Sequence, residues 1–305
     1  MWTNLLLTLA FGDHNYGPVP PVELPDLLVT RHDGVAIPLR DAVGSGRAAV
    51  QFVFTDCQTA CPLLGSLFRG VDRALATEPN VTLVSISVFP ERDTPARLTA
   101  WRGRFHASAR WVALRPRAGD LPKLLAVFGL KDPAPAAHSM QIYFVERARY
   151  VARSTELPRA AGIADALRGR SAMAGATPVV DAPQATKGWQ ENPASGEQLY
   201  YGTRALEARL GGELLAATSS RCANCHGAKR DGGAEGKTVA PALTRAALVG
   251  EVPRRGGPAT RYTADTFCAS LRTGVDPAGI VMSPVMPRYE ISGPACHALW
   301  RFVSE

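Results

Sequence analysis

The sequence predicts a two-domain protein in which an α/β domain is followed by an all-helical domain. Three observations support this prediction. The first 170 residues alternate continuous apolar, β-rich runs with helix-like segments. Residues 171–194 are rich in Ala, Pro, Gly and Thr and show no sustained apolar period, which is typical of a linker. Beyond this linker, two helix-like segments enclose the motif C-A-N-C-H at residues 222–226.

The composition is that of a globular protein of about two domains, with 305 residues and 46% hydrophobic content. The net charge of +7 comes from 34 Lys and Arg against 27 Asp and Glu, and almost all of the basic residues are Arg. These arginines are scattered, whereas nucleic-acid binding needs a clustered basic patch with interleaved aromatic residues. We therefore expect no nucleic-acid partner, although the positive charge suits docking to an acidic redox partner.

The N-terminus has some features of a leader. Residues 1–12 are mostly apolar, but they lack a basic start and a small-residue cleavage site, and they are too short to cross a bilayer. We interpret residues 1–21 as the remnant of a leader or membrane anchor that begins upstream.

The elements of the first domain follow one another in a recognisable order. Residues 48–55 and 81–88 are continuous apolar runs, as expected for strands that are buried on both faces of a sheet. The other predicted elements are helices at 61–77 and 94–106, a strand at 111–114, a helix at 120–129 with Asp120 as its N-cap, hairpin strands at 140–145 and 150–153, and a closing helix at 156–168. A β-α-β crossover followed by an antiparallel hairpin is the layout of a thioredoxin fold, although other α/β sandwiches share this periodicity.

Two cysteines, Cys57 and Cys61, stand where the first predicted strand gives way to a helix. The unpaired N–H groups of a helix N-terminus stabilise a thiolate. The C-x-x-x-C spacing can bring both sulfurs to one side of the first helical turn, and two thiolates directed at one point suit a soft metal, best of all Cu(I). An inert structural disulfide between the two cysteines is the alternative.

Of the six histidines, His138 is the best placed to complete such a copper site. It stands at the entrance of the predicted strand at 140–145, in a loop that can fold over the two cysteines. The alternative is that its imidazole only bonds to the backbone.

The first domain resembles the Sco/SenC copper chaperones, which assemble the dinuclear copper centre of cytochrome c oxidase. The resemblance is carried by F-V-F-T-D-C-Q-T-A-C-P at 52–62, I-S-V-F-P-E-R-D-T-P at 86–95, and H-S at 138–139. It covers residues 22–170, and it implies a thioredoxin fold with Cys57, Cys61 and His138 as copper ligands.

The chain departs from this family at one position. The family usually reads S-x-D-P-E-R-D-T, whereas this chain has Phe89 in place of the first aspartate and retains Asp93. The missing aspartate is supposed to assist metal transfer or partner contact. Its loss weakens the inference of ordinary chaperone activity and leaves the three expected ligands in place.

The second domain carries C-x-x-C-H, the covalent attachment signature of a c-type haem. The thiols of Cys222 and Cys225 are expected to bond to the haem vinyl groups, and the imidazole of His226 to bind the iron. The alternatives are half of a zinc site or a redox C-x-x-C, and a second iron ligand would decide between them. Met286 is our candidate for that ligand, with Met282 as the second choice.

The surroundings of the motif resemble class I cytochromes c over about residues 190–305, and we place this domain at 195–305. The segments that carry the resemblance are M-P-R-Y at 286–289, G-E-Q-L-Y-Y at 196–201, Gly227, P-A-L at 241–243 and the closing helix at 295–302. The resemblance implies an all-helical cytochrome c fold with one covalent haem c. Because haem is attached to such proteins outside the bacterial cytoplasm, it also implies a periplasmic location or one on the outer face of the cytoplasmic membrane.

Cys268 and Cys296 remain after these assignments. In an oxidising compartment they can pair as a disulfide that braces the Met loop against the last helix. Buried, unpaired thiols are the other interpretation, since sequence does not show whether the two Cα atoms lie within bridging range.

Together these features predict an exported, copper-binding protein of cytochrome c oxidase copper-centre assembly, in which a haem c exchanges electrons with the copper or dithiol site. The expected partner is the copper-centre subunit of the oxidase or another redox protein. One alternative is a thiol-disulfide reductase of a copper-site subunit, with Cys57 and Cys61 as its catalytic dithiol. The other is an electron carrier that the Sco-like domain docks to an oxidase.

Overall fold

The computed structural model describes residues 16–58, 60–130, 140–154, 157–169, 195–235, 238–254 and 256–305. These residues form two compact units, the first drawn mainly from the N-terminal part of the chain and the second mainly from the C-terminal part. The predicted linker at 171–194 lies outside the described residues.

An eight-stranded mixed sheet forms the centre of the first unit as far as the chain is described. Its strands are β1 (Tyr16–Glu23), β2 (Leu28–Arg31), β3 (Ala36–Pro38), β4 (Arg47–Val53), β5 (Val81–Ser87), β6 (Trp111–Pro116), β7 (Tyr143–Glu146) and β8 (Arg149–Ser154). They lie in the order β1-β8-β7-β4-β5-β6-β2-β3. The β4–β5 and β5–β6 pairs are parallel, and the other neighbouring strands are antiparallel.

The helices of the N-terminal part connect strands of this sheet, except the last helix, which follows β8. They are α1 (Leu39–Val43), α2 (Ala60–Ala74), α3 (Pro95–Gly103), α4 (Leu121–Val127) and α5 (Ala160–Arg168). Helix α2 connects β4 to β5 and α3 connects β5 to β6, while β7 and β8 form the antiparallel hairpin. The predicted thioredoxin-like α/β layout of the N-terminal part is therefore confirmed.

Both faces of the central strands are covered, as the continuous apolar runs predict. Phe52 packs edge to face against Phe128 and Tyr143, with ring centroids 5.2 and 5.5 Å away. In a separate aromatic group, Trp111 packs against Phe68 and Trp101, at 5.6 and 5.7 Å. This burial is what makes β4 a rigid support for the segment that follows it.

One predicted helix cap needs correction. Asp120 occupies the N-cap position of α4, but its side chain makes no capping hydrogen bond. A 3₁₀ turn at Ala118–Asp120 leads into the helix, so Asp120 already has helical backbone angles. An effective N-cap side chain needs the extended backbone that Thr94 has before α3, where Thr94 accepts a hydrogen bond from the Arg97 N–H group.

The first strand begins inside the segment that we assigned to the leader, since residues 16–21 belong to β1. The sequence concealed this strand because it contains three prolines, which lack an N–H group to donate. Prolines are tolerated here because β1 lies at the edge of the sheet and pairs only with β8. Within the described ranges, none of the helices combines the length and the apolar character needed to span a bilayer.

The second unit contains helices and short strands, so the expectation of an all-helical domain is not confirmed. Its helices are α6 (Gly196–Tyr201), α7 (Cys222–His226), α8 (Arg245–Val249), α9 (Ala264–Thr273) and α10 (Gly293–Ser304). Its strands are β9 (Glu207–Leu210), β10 (Glu213–Leu214), β11 (Gly233–Glu235), β12 (Thr238–Ala240), β13 (Val252–Pro253), β14 (Ala259–Thr260) and β15 (Arg288–Glu290). Strands of two to four residues are too short to produce a readable alternation of apolar and polar residues.

The two predicted terminal helices of this unit, α6 and α10, pack against each other. They lie close together at Gly196, where an added Cβ atom would be 2.1 Å from the carbonyl oxygen of Ala298. Ser195 begins α6 with a capping box that it forms with Gln198. The sequence therefore places a residue without a side chain where the two backbones meet.

Candidate functional site

Cys57 and Cys61 lie at the junction that the sequence predicts. Cys57 follows β4, and Cys61 is the second residue of α2. The backbone N–H group of Cys61 donates a hydrogen bond to the sulfur of Cys57 over 3.1 Å. Both residues are thiols, and they are only 4% and 0% exposed. The sulfur of Cys57 thus accepts a backbone hydrogen bond at the N-terminal end of α2.

Thr55 and Asp93 anchor the segment that leads from β4 to Cys57. The Asp93 carboxylate accepts hydrogen bonds from the N–H group and the hydroxyl group of Thr55, over 3.1 and 2.5 Å. It also accepts one from the Ser87 hydroxyl, over 2.6 Å. Asp93 was expected only as a residue retained from the family, and its contact with Thr55 was not predicted. A polar tract directly after a buried strand is the only signal that could have indicated it.

Phe89, which stands where the family usually has an aspartate, is partly buried. Its ring lies 5.7 Å from the ring of Phe54, measured between centroids, and both rings pack against the hydrophobic core. Its backbone N–H group donates to the hydroxyl of Ser87 over 3.1 Å. An apolar contact therefore replaces a carboxylate close to the end of β4.

His138, the predicted third copper ligand, lies outside the described residues. Within the residues that the structure does describe, no group of three or more His, Cys, Asp or Glu side chains is arranged to hold a metal ion. The structure thus brings together two of the three predicted ligands, Cys57 and Cys61.

In the second unit, the C-x-x-C-H motif forms α7. His226 is 5% exposed, and its Nδ1 atom lies 2.7 Å from the carbonyl oxygen of Pro241. A carbonyl oxygen can only accept, so Nδ1 carries the proton and Nε2 has a lone pair. Burial lowers the pKa of His226, and the hydrogen bond to Pro241 opposes this effect. The neutral imidazole that results is the form that binds a metal.

Tyr289 connects the motif to the segment that carries the candidate methionines. It is 4% exposed, and its hydroxyl donates to the carbonyl oxygen of Ser220 over 2.8 Å. The same hydroxyl hydrogen-bonds to the side chain of Cys222. Burial raises the pKa of Cys222 to about 12, and the bond to Tyr289 acts in the opposite direction. Cys222 is therefore held as a neutral thiol.

Met286, our candidate for the second iron ligand, is partly buried three residues before Tyr289. Its N–H group donates to the carbonyl oxygen of Ser283 over 3.0 Å, which closes a turn. Met282 is also partly buried, and its N–H group donates to the carbonyl oxygen of Gly274 over 2.7 Å. Both thioethers thus belong to one backbone segment that Tyr289 fastens to the C-x-x-C-H motif.

Two tyrosines of α6 fasten this helix to the residues after the motif. Tyr200 donates a hydrogen bond to the carbonyl oxygen of Gly227 over 2.6 Å, and Tyr201 donates one to that of Ala228 over 2.7 Å. Burial raises the pKa of Tyr200 above its usual range, so its hydroxyl remains protonated. The backbone next to His226 is therefore fixed from outside the motif.

Cys268 and Cys296 form a disulfide that joins α9 to α10, with their Cα atoms 5.9 Å apart. Both residues are buried, at 3% and 0% exposed. Of the two interpretations that the sequence left open, the structure therefore shows the disulfide.

The N-terminal part of the chain is thus a thioredoxin-like domain in which two cysteines lie at the N-terminal end of a helix. Residues 26–156 match the family model described as SCO1/SenC. This part of the chain is therefore a Sco/SenC family domain, and Cys57, Cys61 and His138 all fall within the matched residues. No curated protein matches the chain.

Several solved structures are similar to half of the chain. A SCO1/SenC family lipoprotein from Bacillus anthracis is 21% identical, with a TM-score of 0.43, and the match covers 50% of this chain and 98% of that protein. Copper-bound ScoI from Bradyrhizobium japonicum is 22% identical, with a TM-score of 0.41 and coverages of 48% and 99%. Copper-bound ScoI from Arabidopsis thaliana is 19% identical, with a TM-score of 0.41 and coverages of 48% and 98%.

Proposed function

We propose that this chain is an exported Sco/SenC-type protein that takes part in assembly of the copper centre of cytochrome c oxidase and that carries a covalent haem c. Copper is its cargo, with Cys57, Cys61 and His138 as ligands. The observation that carries the proposal is the hydrogen bond from the Cys61 N–H group to the Cys57 sulfur, inside a Sco/SenC family domain.

The chemistry of the donor set supports the choice of copper. Thiolates select Cu(I), and the imidazole of His138 would supply a third donor. The family match over residues 26–156 supports the same assignment, since it includes all three residues. The proposed partner is accordingly the copper-centre subunit of the oxidase or another redox protein, met outside the bacterial cytoplasm.

The residues of the second unit fit a covalent haem. Cys222 and Cys225 would hold the haem through thioether bonds, His226 would bind the iron through Nε2, and Met286 would supply the second axial ligand. The fit rests on His226, whose Nδ1 atom bonds to the Pro241 carbonyl oxygen, while Nε2 has no hydrogen-bond partner among the described residues. When bound, such a haem supplies one-electron oxidation and reduction.

The electron count favours a role in setting the valence of copper. Conversion of Cu(II) to Cu(I) takes one electron, which matches a one-electron haem. Oxidation of Cys57 and Cys61 to a disulfide releases two electrons and two protons, so one haem could accept only half of them. We therefore propose that the haem exchanges electrons with copper bound at Cys57, Cys61 and His138.

A copper titration tests the proposal directly. Haem-loaded, thiol-reduced protein is titrated with Cu(I) and with Cu(II), beside the variants Cys57→Ser/Cys61→Ser and His138→Ala. We expect one tightly held copper ion that both variants lose. His106→Ala is the control, because His106 is exposed and is not among the proposed ligands. The absence of stoichiometric binding to the wild-type protein would overturn the copper assignment.

The haem assignment has its own test. Protein produced with the haem-attachment machinery should retain haem after denaturation in acid and solvent, and Cys222→Ser/Cys225→Ser should not. Met286→Ala should remove the absorption band of a sulfur-ligated ferric haem and lower the midpoint potential, because Met ligation raises the potential. Met282→Ala should leave both unchanged. The reverse pattern in the two methionine variants would assign the ligand to Met282.

Two further functions are favoured by specific observations. The adjacent thiols of Cys57 and Cys61 suit a reductase that attacks a disulfide in a copper-site subunit. Turnover of a protein disulfide without copper would support this function.

Phe89 instead favours an electron carrier, since the aspartate that is supposed to assist metal transfer is absent. In that case haem oxidation and reduction should be unaffected by substitution of Cys57 and Cys61.

A further inference from the structure

Thr55 is held at all of its hydrogen-bonding groups, although it lies in a connection between a strand and a helix. Its N–H group and hydroxyl donate to Asp93, over 3.1 and 2.5 Å. Its hydroxyl accepts a hydrogen bond from Nε of Arg97 over 3.0 Å, and its carbonyl oxygen accepts one from Arg104 over 3.2 Å. A loop residue with this many fixed contacts has very little freedom to move.

Asp93 is the centre of this arrangement. It is 1% exposed, and its second carboxylate oxygen accepts the Ser87 hydroxyl hydrogen bond over 2.6 Å. Its own N–H group donates to the carbonyl oxygen of Phe89 over 2.9 Å, which closes the turn that carries it. A buried carboxylate is stable only when such donors satisfy it, and hydrogen bonds to a charged acceptor are the strong ones.

The contact between the two cysteines depends on where this segment ends. Cys57 is two residues after Thr55, and its sulfur accepts a hydrogen bond from the Cys61 N–H group over 3.1 Å. Cys61 is fixed by α2, whereas Cys57 is reached through the segment that Asp93 holds. We propose that Asp93 is a positioning residue for the Cys57–Cys61 pair and that it acts through Thr55. This inference rests on the proposed function of the pair as a metal-binding site.

Asp72 provides a matched control within the same unit. It is 7% exposed, and it accepts hydrogen bonds from the N–H group and the hydroxyl of Ser108, over 2.8 and 2.6 Å. It therefore repeats the arrangement of Asp93 and Thr55 near the C-terminal end of α2, away from the segment that leads to Cys57. Loss of either carboxylate should reduce the stability of the fold, but only loss of Asp93 should change the cysteine pair.

The first measurement is Cu(I) affinity, determined on full-length, haem-loaded protein by competition with a chromophoric chelator. Asp93→Asn replaces one acceptor oxygen with an NH₂ donor that would face a hydroxyl donor. We expect Cu(I) binding to weaken 10-fold to 100-fold, the usual effect of losing a residue that orients a metal ligand. Asp72→Asn should bind Cu(I) as the wild-type protein does. Equal affinities in the two variants would overturn the inference.

A second measurement needs no copper, so it separates this inference from the proposed function. The rate at which iodoacetamide alkylates Cys57 is followed by mass spectrometry of the reduced protein. Because Cys57 is 4% exposed, release of its segment by Asp93→Asn should raise this rate at least 10-fold, and Asp72→Asn should not. If the wild-type protein binds no copper, but Asp93→Asn raises the alkylation rate and Asp72→Asn does not, the copper assignment is refuted and the positioning role is supported. Equal alkylation rates in the two variants would overturn the positioning role.

Thr55 gives a milder pair of variants, which decides the question if Asp93→Asn does not fold. Thr55→Val removes the hydroxyl bond to Asp93 and keeps the N–H bond, whereas Thr55→Ser keeps both. We expect Thr55→Val to show faster alkylation of Cys57 and weaker Cu(I) binding, with the serine variant close to wild type. Identical behaviour of the two variants would overturn the proposed role of Thr55.

Discussion

The hydroxyl group of Tyr289 lies 2.8 Å from the carbonyl oxygen of Ser220, two residues before Cys222. This bond joins β15 to the start of the C-x-x-C-H motif, although the two residues are 69 positions apart in the chain. Tyr289 also hydrogen-bonds to the Cys222 side chain, so one hydroxyl holds both the backbone and a cysteine of the motif.

We predict that Tyr289→Phe destabilises the protein by about 1–3 kcal/mol, because a buried carbonyl oxygen then lacks its donor. Chemical denaturation followed by circular dichroism measures the change. Tyr262→Phe is the control: the Tyr262 ring stacks on Arg254, and its hydroxyl has no hydrogen-bond partner in the described part of the chain. Equal effects of the two substitutions would show that the hydroxyl of Tyr289 contributes nothing specific.

The approach of α6 to α10 leads to a second prediction. At Gly196 an added Cβ would meet the Ala298 carbonyl oxygen at 2.1 Å and the Cβ of Phe302 at 2.5 Å. Because a backbone oxygen cannot move aside, Gly196→Ala should cost about 1–3 kcal/mol in free energy of unfolding. Gly293→Ala, at the start of α10, should be close to neutral, since nothing lies within 4 Å of its added Cβ. A stable Gly196→Ala variant would mean that the helices can separate without cost.

The sequence predicted most of the first unit, for a physical reason. Strands buried on both faces, such as β4 and β5, are continuously apolar. This pattern can be recognised in the sequence of the strand itself, without knowing which strands lie beside it. The edge strand β1 has no such requirement and contains prolines, so it was missed. The prediction that the Asp120 side chain caps α4 was wrong for a related reason. The 3₁₀ turn before the helix sets the backbone angles of Asp120, and the composition of the segment does not indicate such a turn.

At the candidate sites, too, local sequence patterns predicted some features, whereas contacts between distant parts of the chain were not predicted. Local spacing was enough to predict that Cys57 and Cys61 lie together and that 222–226 forms a separate motif. The partner of His226 is a backbone carbonyl, at Pro241, whose geometry no side-chain pattern encodes. The link from Asp93 to Thr55 spans 38 positions and becomes visible only when β4 and β5 are paired.

His32 is expected to make stability dependent on pH. It is half-buried, and its Nδ1 atom accepts the N–H group of Ala113 over 3.3 Å, which requires an unprotonated nitrogen. Burial is the main cause that lowers the pKa of His32, and the charges of Arg102 and Arg31 lower it further. The charge of Asp33 and a backbone hydrogen bond with Ala113 act in the opposite direction, but the pKa remains lowered. The unfolded chain, with a pKa of about 6.5, therefore binds more protons than the folded chain.

Stability should consequently fall as the pH decreases below about 6.5, through the range between the unfolded and folded pKa values of His32. His32→Asn retains an acceptor for the Ala113 N–H group but cannot titrate. Between pH 7.5 and pH 5, we expect the free energy of unfolding to fall more for the wild-type protein than for His32→Asn. His106→Asn, at an exposed position, is the control. A difference that is constant with pH would contradict the assignment to His32.

The disulfide between Cys268 and Cys296 gives a prediction about the second unit. It closes a segment of 28 residues, and the loss of chain entropy in the unfolded state corresponds to about 3–4 kcal/mol of stabilisation. Cys268→Ala/Cys296→Ala should therefore lower the free energy of unfolding by about that amount, as measured by urea denaturation without reductant.

Reduction distinguishes the cross-link from the packing of the two buried side chains. In the presence of a thiol reductant that opens the bond, the wild-type protein should lose most of its advantage over the double variant. The single variants Cys268→Ala and Cys296→Ala should match the double variant, because either one removes the bond. If the wild-type advantage persists in reductant, the stabilisation comes from buried sulfur contacts between α9 and α10 and not from the closed loop.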